Sequence, residues 1–151
     1  MRRLALYSFV ITLVWLGFVG AISFMEAPLK FRAPGVEVKQ AVSIGHVVFH
    51  QLNRIEWISA GLSWLIFLKL GMLRTRGVMV LLGAVTAVLA LQTFVLYPVL
   101  DLHAIAVIRG ETTVTTWHHT AFIALEVVKV ILLMLLAGAQ IQTFARAVIS
   151  E

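Results

Sequence analysis

The chain contains no cysteine. That excludes disulfides, thiolate metal sites, iron–sulfur clusters and covalent c-type haem attachment, and it identifies no redox compartment. Charge is scarce as well: Asp, Glu, Lys and Arg make up 13% of the 151 residues, against about a quarter in soluble domains. Proline occurs only three times, and Pro28, Pro34 and Pro98 each fall at the edge of an apolar run. No basic run is interleaved with aromatics, so the net charge of +5 does not point to nucleic acid. Arg2, Arg3, Lys69, Arg74 and Arg76 instead flank apolar stretches, as basic residues do beside membrane spans.

What is abundant is apolar side chain, 61% of the residues with a mean hydropathy of +1.00. A chain of this length forms one domain. Its length is largely consumed by membrane spans, which leaves no room for a separate soluble catalytic domain. The first run, Leu4–Phe24, follows Arg2-Arg3, exceeds a signal h-region and lacks a small-x-small cleavage site. It reads as a retained span ending near Glu26, with Pro28 as the first firm stop. After a turn at Pro34-Gly35, a helix is expected over Val36–Leu70, about 50 Å long at roughly 1.5 Å per residue. A short basic loop over Gly71–Gly77 follows. The third span, Val78–Leu96, continues through Asp101 and His103 to Ile108. The fourth starts near Thr116 and runs toward Ala145. The fold class expected is an all-α integral membrane protein, a single four-span transmembrane domain over residues 1–151 built as a four-helix bundle with an extended second helix. No internal repeat stands out.

Arg2, Arg3, Lys69, Arg74, Arg76 and Arg146 lie on the side of the termini, and Lys30, Arg32, Lys39 and Arg109 on the other. That bias places both termini in the cytoplasm, by the positive-inside rule, with a bacterial inner membrane as the expected location.

The second span carries the functional question. Its uninterrupted apolar run, Trp57–Leu68, is about twelve residues long where a crossing needs roughly 20. Filling the span takes Glu56, Arg54 and Asn53 into the hydrocarbon and leaves His50 at its edge. His46, His50 and Asn53 share one helix face by their i, i+4, i+7 spacing. Glu56 and Glu126 each fall about six residues inside their spans, roughly 9 Å below the outer boundary. Arg54 and Lys129 occupy neighbouring depths, and Gln92, Tyr97, Asp101 and His103 reach the same half from span three. The inner halves are nearly featureless. Ionisable groups at membrane depth face a bundle interior, a partner or a site. One reading is structural, with Arg54 and Lys129 neutralising Glu126 and Glu56.

The other reading is a site. His46 and His50 stand one helical turn apart, a spacing that lets two imidazoles reach one metal. His119 and Glu126 lie on one stripe of the fourth span. The expected ligand set is therefore His46, His50 and His119, with Glu126 and Glu56 assisting. Imidazole and carboxylate suit zinc, iron or copper(II). The rival readings are haem b held between His50 and His119, a quinol site, and a non-catalytic assembly subunit. The expected partners are the lipid bilayer and a homo-oligomer or larger membrane complex. Trp117 and Tyr97 suit an interfacial belt, and the other tryptophans suit helix packing.

Three segments carry a family resemblance: Phe24-Met-Glu-Ala-Pro28-Leu-Lys-Phe31, Leu91-Gln-Thr-Phe-Val-Leu-Tyr-Pro98, and His119 with Leu125-Glu126. In these the chain resembles a family of small four-span bacterial membrane proteins related to transmembrane protein 205. The resemblance implies the four-span architecture, and some members of that family are linked to metal-drug resistance. The paired His46 and His50 and the doubled His118-His119 are richer in histidine than that family's pattern implies.

Overall fold

The computed structural model describes residues 2–69, 75–112 and 117–149. The expected basic loop around Arg74 and the expected helix start at Thr116 fall outside these residues. The chain is all-helical, without a strand among the described residues. It makes four long rods. The first is α1 (Arg2–Val19), a π-helical segment (Gly20–Glu26), α2 (Ala27–Leu29) and a 3-10 turn (Lys30–Arg32). The second is α3 (Val38–Lys69) alone. The third is α4 (Arg76–Leu91), a second π segment (Gln92–Leu96) and α5 (Tyr97–Arg109), and the fourth is α6 (Trp117–Ile149).

Pro28 does not stop the first rod, as the sequence suggested it would. Proline lacks an N–H and its ring crowds the carbonyl four residues back. The π segment just before it opens the turn, so the helix carries on to Arg32. The third rod meets Pro98 in the same way. It ends at Gly110, whose φ of 80° is a left-handed cap that a glycine adopts without strain. Thr75 caps the start of α4 by accepting from the Val78 N–H at 3.3 Å.

The rods pack as a square. α1 lies against α3 and α6, and the third rod lies against the same two helices. Short connections alternate their directions. Trp15, Leu52, Leu89 and Leu133 fill the middle of the core, and Phe67, Val78, Leu82 and Leu136 fill the end nearer the termini.

Polarity is reversed relative to a water-soluble bundle. Among the buried residues are Ser8, Thr12, Ser59, Ser63, Gln140 and Thr143. Large apolar side chains face outward on every rod, with Phe94 71% exposed and Leu102 72% exposed. The first, third and fourth rods are long and apolar enough to cross a membrane, over Arg3–Arg32, Arg76–Arg109 and Trp117–Arg146. α3 is not among them, because Gln51, Asn53, Arg54 and Glu56 interrupt its apolar run, but its middle is two-faced. Glu56, Ser59 and Ser63 are buried, while Ile58, Leu62, Leu65 and Leu68 are exposed.

Candidate functional site

At one level of the bundle all four rods contribute polar groups. Lys129, on α6, is fully buried, with its Nζ 2.6 Å from Glu56 Oε1 and 2.7 Å from Glu126 Oε1. It donates its third hydrogen bond to Gln92 Oε1 at 2.8 Å. An ammonium has three donors, and all three are used. The Gln92 amide nitrogen donates to Glu126 Oε1 at 2.8 Å and to the Phe122 carbonyl at 3.5 Å. Ser23 Oγ donates to Glu126 Oε2 at 2.8 Å, and the Trp15 indole N–H to Glu56 Oε1 at 3.1 Å.

This network is what makes a buried lysine tolerable. An unpaired charge at this depth is excluded by cost, and a pair survives only with its remaining hydrogen bonds satisfied. The expectation that Glu56 and Glu126 lie at one depth is met, since both reach the same ammonium. So is the pairing of Lys129. Arg54 differs. It is exposed, and its guanidinium donates to Gln51 Oε1 at 3.4 Å. On α3 it sits two residues before Glu56 and so about 200° around the helix, facing away from the core.

The π segments explain how two of the donors arrive. Ser23 lies inside the first and Gln92 opens the second. A π turn widens the helix and re-aims side chains, and such turns concentrate at functional positions. Sequence reasoning treated Trp15 as packing and did not place Ser23 at all. The only signal available was a hydroxyl directly before Phe in a span that ends in proline.

Outward of this centre lies an aromatic layer. Phe122 meets Phe49 edge to face at 5.9 Å between ring centroids and Tyr97 at 5.5 Å. Tyr97 Oη donates to the Phe49 carbonyl at 2.8 Å, so the ring spans from the third rod to α3. Lys30 covers the other side, with its ammonium 5.1 Å from the Phe49 ring and 3.2 Å from Glu26 Oε2. Gly45 makes room for it, since a Cβ there would come within 2.5 Å of Lys30 Nζ.

Beyond the aromatics, at the rim, His46 and His50 turn toward the third rod. Both aim Nε2 at one oxygen, Asp101 Oδ1, at 3.3 and 3.1 Å. Their rings meet edge to face at 4.7 Å, and His50 also lies 5.6 Å from the Tyr97 ring. Asn53, one turn further in on the same face, donates to Thr93 Oγ1 at 2.7 Å. The shared face expected of His46, His50 and Asn53 is thus the face that meets the third rod. The three rim side chains are partly exposed, at 29%, 39% and 31% for His46, His50 and Asp101. One donor atom from each lies within 4.8 Å of the others.

The ligand set expected from the sequence divides between these layers. His46 and His50 meet Asp101. Glu56 and Glu126 meet Lys129. His119 sits exposed in the first turn of α6, outside the rim trio. Its neighbour His118 stacks on Trp117 at 3.8 Å between centroids. Asp101 was legible as a group in the outer half but not as the histidines' partner. Its position one turn past Tyr97 was the available signal.

Two histidines one turn apart on a helix and a carboxylate from a second helix form a donor set that zinc and non-haem iron accept with positions left open. Ligands about 2.0–2.1 Å from zinc in a tetrahedron stand roughly 3.4 Å apart. The two nitrogen–oxygen separations at the rim match that spacing. They equally match hydrogen bonds from imidazole N–H groups to a carboxylate. The chain matches no protein-family model, no curated protein and no solved structure.

Proposed function

We propose that this chain is an integral membrane protein of four transmembrane helices that binds one divalent transition-metal ion at its outer rim through His46, His50 and Asp101. The observation that carries the reading is the convergence of His46 Nε2 and His50 Nε2 on Asp101 Oδ1. The donors suit zinc, iron(II) or copper(II) rather than ions that need thiolate. Partial exposure leaves coordination positions open toward water, as a site that loads, releases or activates a ligand requires.

Support for α3 as the fourth span comes from its reversed polarity, with carboxylate and hydroxyls inward and leucines outward. Both termini lie on the cytoplasmic side of a bacterial inner membrane in this reading. It rests on the bias of Lys and Arg toward the terminal side. Kinship with the four-span family related to transmembrane protein 205 belongs to the same proposal, on the Phe24–Phe31 and Leu91–Pro98 segments.

The test is metal analysis with an optical spectrum, on protein purified in detergent without a polyhistidine tag. One equivalent of metal per chain is expected, lowered in His50→Ala and in Asp101→Asn while both variants stay folded. No bound metal after loading with zinc, iron(II) or copper(II) refutes the site and leaves the trio as a clasp between α3 and α5. A Soret band would identify haem instead.

A further inference from the structure

The two halves of the chain correspond at an offset of 70 residues. The buried positions of α1, Ser8, Thr12, Trp15 and Val19, map onto Val78, Leu82, Val85 and Leu89, which are buried in α4. In α3, buried Leu52, Glu56 and Ser63 map onto buried Phe122, Glu126 and Leu133 of α6. Heptad-like packing alone would restore the phase after any multiple of seven. Three further marks agree in level as well as phase. Each first rod of a half carries a π segment that ends two residues before its proline, at Glu26 and at Leu96. Each contains a hydroxyl, a phenylalanine and a proline in one pattern, Ser23-Phe24 with Pro28 and Thr93-Phe94 with Pro98. Each second rod buries one glutamate at the corresponding position. Identities between the halves are few, which is why no repeat stood out in the sequence.

The first and third rods run in the same direction, so the halves are parallel hairpins related by an axis along the bundle. In membrane proteins built this way, binding sites lie where the repeats meet. Here that place holds Glu56 and Glu126, equivalent residues facing one cation. The cation is contributed asymmetrically. Lys129 in the second hairpin corresponds to Ser59 in the first, and both are buried.

We infer that the chain is a tandem pair of one two-helix hairpin, and that Glu56 and Glu126 form a cation site on the axis between the hairpins that takes one primary ammonium group. Lys129 supplies that group from within. The ligand class follows from the acceptors. Glu56 Oε1, Glu126 Oε1 and Gln92 Oε1 surround the nitrogen at 2.6, 2.7 and 2.8 Å, one for each N–H of a primary ammonium. A quaternary ammonium has no N–H to give and is wider than the space. The inference is independent of the rim trio, which shares no residue with this site.

Lys129→Ala in the full chain removes the stem beyond Cβ together with the charge, the atoms of a propylammonium ion. Melting in detergent is expected to fall by on the order of 10 °C, the scale of losing one partner of a buried ion pair. n-Propylammonium should restore much of that loss with saturation, and tetramethylammonium should not. The same amine should do nothing for Glu56→Gln/Lys129→Ala. Ser59→Lys/Lys129→Ala moves the ammonium to the equivalent position of the other hairpin and should also recover stability. If Lys129→Ala cannot be isolated, recovery of inserted protein by the Ser59→Lys change is the readout. Wild-type stability of Lys129→Ala overturns the cation site. So does the absence of rescue by propylammonium, or equal rescue in the variant lacking Glu56. Failure of the Ser59→Lys change to recover anything overturns the two-fold relation.

Discussion

Lys129 and Arg54 are cations at neighbouring depths with opposite surroundings, and their substitutions should differ accordingly. Glu126→Ala strands the Lys129 ammonium beside a single carboxylate, orphans the Ser23 donor and leaves the Gln92 amide only its long bond to the Phe122 carbonyl. A loss of about 3–5 kcal/mol is expected, the range for breaking a buried ion pair, measured by reversible unfolding in detergent or bicelles. Arg54→Gln, by contrast, removes one long hydrogen bond to Gln51 at an exposed position. It should change stability by no more than about 0.5 kcal/mol. The sequence placed Lys129 on one stripe with His119 and Glu126, but left Arg54, at the depth of the same carboxylates, without a neighbour to fix its direction. What separates them is helical phase relative to neighbours. Phase was readable for His46, His50 and Asn53, which form a stripe of three. A lone arginine offers no stripe.

At the scale of the element, helix lengths were legible and the irregularities inside them were not. Hydropathy located α3, α4 with α5, and α6 within a few residues, because apolar runs bounded by Arg, Lys and Gly leave little freedom. The π segments carry no comparable compositional signal. Their nearest marker was proline, which reads by default as a stop. They nonetheless set the aim of everything beyond them. Inserting one alanine after exposed Val95 adds a residue beyond the one the wide turn absorbs, and should rotate α5 by roughly 100° relative to α4. Asp101 would then leave His46 and His50, while Gln92, before the insertion, keeps its place. Metal per chain should drop in that variant, with helicity by circular dichroism unchanged. Retained metal would show that the turn does not position Asp101.

For the whole molecule, the reversed polarity states where the bundle belongs. Its surface offers leucine, isoleucine and phenylalanine on all four rods, and its interior holds Glu56, Glu126 and Lys129. The class of fold was therefore the most legible feature of the chain, since composition alone points to long helices apolar enough to cross a membrane. The site was legible as a layer, because all the ionisable residues within spans fall in one half. Its partition into a rim trio and a buried centre was not, because partner choice depends on which rods are neighbours in the square. α3 decides whether the molecule crosses four times. Ile58→Arg puts a cation on its outward face near mid-span, at a cost of about 2.5–3.5 kcal/mol on insertion scales. The variant should show reduced integration of α3, read by glycosylation mapping of the following loop. Unchanged integration would mean that this face of α3 does not meet lipid.

The order in which charges arrive during synthesis follows from the Lys129 centre. In the proposed four-span reading α3 leaves the ribosome long before α6, so Glu56 enters the membrane with the Trp15 indole to meet it. Lys129 comes last but never alone, since Glu126 lies one turn ahead of it on the same helix and neutralises it on entry. The final helix thus completes the charge balance of the first half. A nascent chain arrested before Trp117 keeps an uncompensated acid in the bilayer, the kind of lesion on which membrane proteases and insertases act. Pulse–chase labelling should show that such a truncation turns over faster than the full chain, and that Glu56→Leu in the truncated form slows its degradation.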